Sequence, residues 1–318
     1  MQLSIIIPCY NAEKYIKQCI ERTCVSISHE FILVNDGSID ETSYVLDELK
    51  TIHSNIRVIH KENGGVIAAR RDGWRVAKGE YVCFVDADDY CIIDDNFFQV
   101  LNQGYDVIKA GGFYVTEEGN ERYSNACNGV FSNILEVYSL MLDGKILPYM
   151  HTSLFRRDII DEACFDIPSR FAIGEDFIFN LNILKKQPRI LCVDYPFYYY
   201  SMNIFSVMHT KIWSFNYIRD FENYIEKTIL ENVHFLQKEL IKRRFLCYTS
   251  TLLFPEIKFK HSYYVELKEM FMTYPWLLQL APKRNVMFIQ TEWMYRLYLG
   301  VYHTLVKMCK RTKREVIE

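Results

Sequence analysis

Acidic and amide side chains follow four apolar runs of this sequence, at the points where buried strands would end. The acidic segment Asp86–Asp89 comes directly after one run, and Asp36 follows another. Tyr10 and Asn11 follow the first run, and Asn63 follows the third. Grouped carboxylates, together with substrate phosphate oxygens, are the usual ligands of Mg²⁺, and Mn²⁺ accepts similar ones. The pattern therefore indicates a metal-assisted site for a diphosphate.

Strands and helices alternate over the first ninety residues. The strand-like runs are Ser4–Ile7, Phe31–Val34, Ile56–His60 and Tyr81–Val85. The helical stretches between them are 12–24, the segment that follows a predicted N-cap at Asp40, and 66–77. This order predicts βαβ units, an α/β fold and a mostly parallel sheet with helices on both faces. Because ligands of such sheets bind at the carboxyl ends of the strands, the polar groups should meet at one edge.

Glycine-rich phosphate loops are missing from the expected positions. A dinucleotide-binding fold needs G-x-G-x-x-G after the first strand, but the turn Pro8–Glu13 contains no glycine. A Walker loop is absent, and an aspartyl-nucleophile phosphatase would carry its D-x-D after the first strand, not after the fourth. A divalent cation between carboxylates and diphosphate is the remaining way to hold the phosphates.

Four stretches, in this order, match one known pattern. They are LSIIIPCYNAEKYIKQCI, FILVNDGSIDET, NGGVIAARRDGWRVAKGEYVCFVDADD and FAIGEDFIFNLNIL. On these motifs the chain resembles the family 2 glycosyltransferases, which have the GT-A fold. The resemblance covers residues 1–115 closely and residues 145–210 more loosely. It implies an inverting, metal-dependent transfer of a sugar from a nucleotide donor.

The first motifs of the family bind the nucleoside. The resemblance implies that Pro8, Tyr10 and Asn11 line the nucleoside and that Asp36 hydrogen-bonds the base, typically uracil. Asn63, at the end of the third strand, is predicted to join this donor site.

The resemblance implies that the next motifs bind the diphosphate and the sugar of the donor. Arg70 matches an arginine near the donor, and Asp86, Ala87 and Asp88 match the D-x-D. Asp88 is implied as the ligand of Mn²⁺ or Mg²⁺, and Asp86 as a partner of ribose or sugar hydroxyls. Asp89 is a further candidate for donor binding or for support of the site.

The catalytic pair is implied by the last motif. Asp176 matches the general base of the family, and the adjacent Glu175 should orient it or contact the acceptor. His151 and His209 lie in segments that should face donor and acceptor, and they are further candidates. Alone, Glu175-Asp176 would be explained as acids at a helix N-terminus.

The chain departs from the family pattern at three positions. Asn35 stands where the first acid of a pair is usual, Arg71 where asparagine is usual, and Ser201 where an arginine often follows the tyrosine run. The last change removes a cation that would help the diphosphate, for which His209 or Lys211 would have to substitute.

Composition excludes several other classes of protein. The chain has 318 residues, 50% hydrophobic residues and a net charge of −3, so it is globular and has no global field for nucleic acid. The apolar runs are too short to span a bilayer, and the N-terminus lacks a signal-peptide pattern. Both indicate a cytoplasmic protein, in which most of the 10 cysteines should be buried.

Two regions are predicted, a GT-A catalytic domain over 1–210 and a helical region over 211–318. The second region ends in a cluster of basic side chains: Lys307, Lys310, Arg311, Lys313 and Arg314. The cluster fits either a packed amphipathic helix with a basic tail or an interfacial helix at an anionic membrane. Lipid-linked acceptors would suit the second alternative.

The predicted function is transfer of a hexosyl or N-acetylhexosaminyl group from a UDP-sugar to a hydroxyl of a glycan or lipid-linked acceptor, in surface polysaccharide synthesis. One alternative is an inactive sugar-nucleotide-binding or scaffold subunit, against which the retained Asp88 and Asp176 argue. A nucleotidyltransferase is the other alternative, but it needs a G-x-G-x-R-like loop after the first strand.

Overall fold

A computed structural model gives the fold of residues 1–116, 118–171, 173–202, 214–231, 236–252 and 261–280. The chain divides into two compact units, residues 1–206 and residues 207–318. Within the described ranges, no helix is long and apolar enough to cross a membrane.

The first unit is built on one large sheet. Its strands are β1 Leu3–Cys9, β2 Cys24–Val25, β3 His29–Asp36, β4 Ile56–Lys61, β5 Tyr81–Phe84, β6 Tyr90–Ile93, β7 Val107–Thr116, β8 Gly119–Tyr123, β9 Gly129–Phe131, β10 Ser153–Arg156 and β11 Ile190–Ser201. Its α-helices are α1 Ile16–Arg22, α2 Thr42–Ile52, α3 Val66–Val76, α4 Asp95–Leu101, α5 Ile134–Leu142 and α6 Glu175–Leu184.

The sheet has a parallel half and a mixed half. The strand order is β2-β6-β11-β7-β10-β5-β1-β3-β4. β5, β1, β3 and β4 are parallel, which confirms the prediction for the first ninety residues. β10 then lies antiparallel between β5 and β7. Outside this order, β8 pairs with β7 and β9 pairs with β11.

The central strands are buried on both faces. Ile5, Ile6 and Ile7 of β1 are fully buried, as expected for a parallel strand between two helical layers. Gly73 of α3 lets that helix approach β1 closely, since a Cβ there would lie 2.5 Å from Ile6 Cγ2. This approach places α3, and with it Arg70, against the carboxyl ends of the strands.

The predicted N-cap at Asp40 is wrong. α2 begins at Thr42, and its N-cap is Glu41. The Asp40 carboxylate instead accepts hydrogen bonds from Thr42 N at 3.1 Å and from Glu13 N at 3.3 Å. Asp40 thus stabilises the turn before α2 and connects this turn to the loop after β1.

The described part of the second unit is helical. Its helices are α7 Phe215–Leu230, α8 Gln237–Leu252 and α9 His261–Thr273. α7 buries four apolar side chains that share one face of the helix: Ile218, Phe221, Ile225 and Ile229. The basic cluster near the C-terminus lies outside the described residues.

Candidate active site

Arg70 joins the two predicted acidic motifs. Its guanidinium is 3% exposed and donates from Nη2 to Asp86 Oδ1 at 2.9 Å. Nη1 donates to Asp176 Oδ1 at 3.1 Å and to Glu175 Oε1 at 3.4 Å. The carboxylates around it raise the pKa of Arg70, although burial opposes them. Arg70 is therefore a buried bridge between the acidic loop after β5 and the start of α6.

The acid pair lies in the first turn of α6. Gly174 precedes the helix with a φ of 86°, a left-handed conformation that favours glycine. The helix dipole favours negative charge at this end. Asp176 Oδ2 accepts a hydrogen bond from Met150 N at 2.9 Å, so both carboxylate oxygens have a protein donor.

Glu175 lies in surroundings that shift its pKa. Burial, and then the charge of Asp176, raise the pKa of Glu175 to about 7, although Arg70 lowers it. Glu175 is thus poised to change charge near neutral pH, a property that often marks functional sites.

The D-x-D loop between β5 and β6 carries three acids in different environments. Asp86 has a side chain that is 34% exposed, and Ala87 and Asp88 are half-buried. Asp89 is 1% exposed and accepts hydrogen bonds from Tyr198 Oη at 2.5 Å and from Ser201 N at 2.7 Å. Asp89 therefore supports the loop through its contacts with β11. Support of the site was one of the two roles predicted for Asp89.

The two more exposed acids of the loop, Asp86 and Asp88, are suited to bind a metal ion. Asp86 and Asp88 supply hard carboxylate oxygens near the surface, which fit Mg²⁺ or Mn²⁺. Among the described residues, no three His, Cys, Asp or Glu side chains form a metal site by themselves. A cation at Asp88 would therefore complete its shell with water and substrate oxygens.

Tyr198→Phe should destabilise the first unit by about 1–3 kcal/mol, the cost of leaving a buried polar group unpaired. The Tyr198 hydroxyl donates to Asp89 and accepts from Asp86 N at 3.2 Å, so its loss affects both residues. Urea unfolding measures the change. Tyr199→Phe is the matched control, because its ring stacks on Tyr90 at the adjacent position. Equal free energies of unfolding for the two variants would contradict the support role of Asp89.

Asp36 organises the loop between β4 and α3. Its carboxylate is 3% exposed and accepts from Lys61 Nζ at 2.7 Å, Gly64 N at 2.9 Å and Gly65 N at 2.8 Å. Asn63 Nδ2 donates to the Asp36 carbonyl at 2.9 Å. The predicted base-binding residue therefore also fixes the position of this loop.

The loop after β1 lies next to this region. Asn11 has a φ of 51°, its Oδ1 accepts from Ile39 N at 3.0 Å, and its own N donates to Ser38 Oγ at 3.0 Å. Tyr10 is 53% exposed and Pro8 is half-buried at the end of β1. The exposed ring of Tyr10 is available to a ligand.

His151 lies beside the acid pair. Its Nδ1 is 3.9 Å from Asp176 Oδ2, and its Nε2 is 3.3 Å from Tyr123 Oη. Tyr149 stacks on the imidazole with ring centroids 4.9 Å apart. Burial lowers the pKa of His151, although the charge of Asp176 opposes this. The structure brings His151 into the site, whereas His209 lies outside the described residues.

Three further contributors escaped the sequence analysis. Tyr198 holds the acidic loop, Lys61 pairs with Asp36, and the main-chain N–H of Met150 binds Asp176. Lys61 stands at the end of a strand next to Asn63, so the rule of polar residues at strand ends could have found it. The contact of Met150 uses its main-chain N–H, so the type of its side chain gave no indication of it.

The fold and the site together define a class. The α/β fold, with its mostly parallel central sheet and helices, is that of the GT-A transferases, and the acidic loop 86–89 and the acid pair lie beside each other in it. The family model of glycosyl transferase family 2 matches residues 4–163, half of the chain. The chain belongs to this family.

Known relatives and structures agree with this membership. Glycosyltransferase EpsJ of Bacillus subtilis, described as uncharacterized, is 33% identical over 63% of this chain and 61% of its own length. Poly(ribitol-phosphate) beta-glucosyltransferase of Bacillus spizizenii is 30% identical over 63% of this chain and 32% of its own length. The matches thus cover less than two thirds of these relatives.

One solved structure illustrates the shared fold. The crystal structure of S. aureus TarS 1–349 in complex with UDP-GlcNAc has a TM-score of 0.64, covering 96% of this chain and 92% of that chain. The sequence identity is 19%, so the likeness concerns the fold.

Proposed function

We propose that the protein is an inverting, metal-dependent glycosyltransferase that moves a sugar from a UDP-sugar to a hydroxyl of a glycan or lipid-linked acceptor. The observation that carries this proposal is the bridge from Asp86 through Arg70 to Asp176. The bridge supports the proposal because it keeps the acidic loop and the acid pair close together, where one could act at the leaving diphosphate and the other on the acceptor hydroxyl.

Asp176 is the proposed general base. An acceptor hydroxyl becomes a competent nucleophile as its proton is removed, and a positioned carboxylate can accept that proton. Arg70 and Met150 N each hold one oxygen of Asp176, so the carboxylate is fixed before the acceptor arrives. One base is sufficient, because a single displacement inverts the anomeric centre without a covalent intermediate.

Asp88, with Asp86 beside it, would hold Mg²⁺ or Mn²⁺. A bound divalent cation neutralises charge on a leaving diphosphate. Asp86 is the proposed partner of ribose or sugar hydroxyls through its outer edge, while Arg70 fixes its inner oxygen. In this arrangement Asp86 and Asp88 act on the leaving-group side, and the proton transfer takes place separately at Asp176.

UDP is the proposed nucleotide. The family resemblance assigns Asp36 to the base, and the structural neighbour TarS was solved with UDP-GlcNAc. The exposed Tyr10 and the half-buried Pro8 flank the same edge. The donor sugar is accordingly proposed to be a hexose or an N-acetylhexosamine.

Asp36→Ala should weaken UDP binding by about 1–3 kcal/mol, because the base loses a partner and the loop loses its anchor. Isothermal titration with UDP and with uridine measures this loss, which should be similar for both ligands. Asp47→Ala on the exposed face of α2 is the control and should leave both affinities unchanged. Unaltered UDP affinity in Asp36→Ala would contradict the assignment of Asp36.

Surface polysaccharide synthesis is the proposed setting. The relative from Bacillus spizizenii is named for glucosylation of poly(ribitol-phosphate). We propose a cytoplasmic location for the chain, with its basic C-terminal cluster in contact with anionic lipid, where lipid-linked acceptors are found.

A donor panel tests the proposed function. The protein with Mn²⁺ is incubated with UDP-, GDP- and CMP-sugars, and release of the free nucleotide is followed. Slow metal-dependent release from a UDP-sugar is the expected result, since water can replace the acceptor. Release from another nucleotide sugar alone would overturn the choice of UDP.

A further inference from the structure

Lys109 is a buried cation that the proposed mechanism does not use. It lies on β7 in the middle of the sheet and is 2% exposed. Its Nζ donates to Leu147 O at 3.1 Å and to Ser153 Oγ at 3.0 Å. Both hydrogen-bond partners are uncharged, and burial of an ammonium group that forms no ion pair is costly, although the charge of Asp176 favours it. A methionine would fill the same volume without that cost, so the charge points to a role beyond packing.

One partner of Lys109, Leu147, begins the segment 147–152 that leads into β10, and the other, Ser153, is the first residue of β10. This segment has its main-chain carbonyls fixed by side chains and by the neighbouring strand. The contacts are Lys109 Nζ to Leu147 O, Asn180 Nδ2 to Pro148 O at 2.8 Å, Ser153 Oγ to Tyr149 O at 2.7 Å, and Ala110 N to Thr152 O at 2.9 Å.

The same segment contacts the proposed base. Met150 N donates to Asp176 Oδ2 at 2.9 Å, and His151 packs beside the same oxygen at 3.9 Å. Ser153 accepts from Lys109 and donates to Tyr149 O, so two of the fixed carbonyls depend on the lysine, one directly and one through Ser153. A displacement of the segment would therefore move the donor that holds Asp176.

We propose that Lys109 is a positioning residue for sugar transfer: it fixes segment 147–152 so that Met150 N–H holds Asp176 in place. The inference rests on the proposed function, because Asp176 must be the base for its position to matter. Lys109 reaches the reacting atoms only through Leu147, Ser153 and the main chain.

The groups facing Lys109 make its charge sensitive to pH. They are Ser153 on β10, Cys192 on β11, Asp176 on α6 and His151 in the segment. Burial lowers the pKa of Lys109 to about 8, although Cys192 and Asp176 oppose this. The group is protonated at neutral pH and loses its charge above about pH 8. Charge-assisted hydrogen bonds are roughly twice as strong as neutral ones, so the hold on the segment weakens there.

Lys109→Met in the full chain tests the proposal. We expect kcat to fall about 10–100-fold, the cost of misplacing a catalytic group slightly. Calorimetry with UDP and Mg²⁺ should give an unchanged affinity, because the segment does not hold the nucleotide. The fall in wild-type turnover above about pH 8 should be absent from the variant. Lys17→Met, at an exposed lysine of α1, is the matched control for all three measurements.

A normal kcat in Lys109→Met would overturn the proposal, and so would a parallel loss of kcat and UDP affinity. If that variant fails to fold, Ser153→Ala replaces it, and a reduced kcat with unchanged UDP affinity is again required. The variant Asp176→Asn distinguishes a wrong assignment of the base from a wrong role for Lys109. Full activity in Asp176→Asn contradicts the assignment of Asp176 as the base, on which this proposal rests, whereas loss there with a normal Lys109→Met contradicts only the role of Lys109.

Discussion

Asp176→Asn lowers turnover by about 10²–10⁴-fold, the range expected when a general base is lost. The substitution keeps the shape of the side chain, and the amide oxygen can still accept from Met150 N. It removes the basicity and the charge that faces Arg70. The affinity for UDP should hardly change, because the lost interaction belongs to the transition state. Turnover with the true acceptor and calorimetry with UDP measure the two quantities.

Glu175→Gln is the matched control for that prediction. It makes the same chemical change one position away, at an acid that is equally exposed and also touches Arg70. Because the pKa of Glu175 is raised to about 7, the amide resembles the form that is present below that pH. The loss of turnover in Glu175→Gln should therefore be small below pH 7 and larger above pH 7. A greater loss in Glu175→Gln than in Asp176→Asn would make Glu175 the base.

Asp88→Ala abolishes the metal dependence of UDP binding. Loss of an outer-shell partner already costs about 10–100-fold in metal affinity, and loss of the carboxylate ligand itself should cost more. The fold should persist, because Asp88 lies half-buried in a loop and outside the core. Titrating UDP in the presence and absence of Mn²⁺ measures the difference in affinity.

Asp158→Ala provides a surface control for Asp88→Ala. Asp158 is 64% exposed and pairs with Arg156, so its loss should leave metal-dependent binding intact. If Asp88→Ala binds UDP with the wild-type dependence on Mn²⁺, Asp88 is not the metal ligand.

The parallel half of the sheet was predictable from the sequence for a physical reason. Strands buried on both faces must be continuous apolar runs, and Ile5–Ile7 and Phe31–Val34 are such runs. Polar groups that follow these runs must then meet at one edge, which located Asp36 and Asp86. β8 is short and polar, and β9 has only three residues, so their pairing left no comparable pattern.

The internal contacts of the site were less predictable. Arg70 was expected near the donor, and the structure shows it buried against three carboxylates, two of them more than 100 residues away in the sequence. Asp89 was one of three acids in the segment 86–89, and its burial against Tyr198 and Ser201 of β11 gives it a role of its own. Such pairings depend on tertiary structure, and single-sequence patterns do not carry them.

Calorimetric titration of the 318-residue chain with UDP, with and without Mn²⁺, tests the central claim most directly. The account predicts binding that requires the cation in the wild type, persists in Asp176→Asn and is lost in Asp88→Ala. A ligand at 100 times its Kd stabilises the fold by about 2.7 kcal/mol, so thermal unfolding gives an independent reading. If UDP binds neither with nor without a divalent cation, the assignment of this site to a metal-dependent UDP-sugar transferase is wrong.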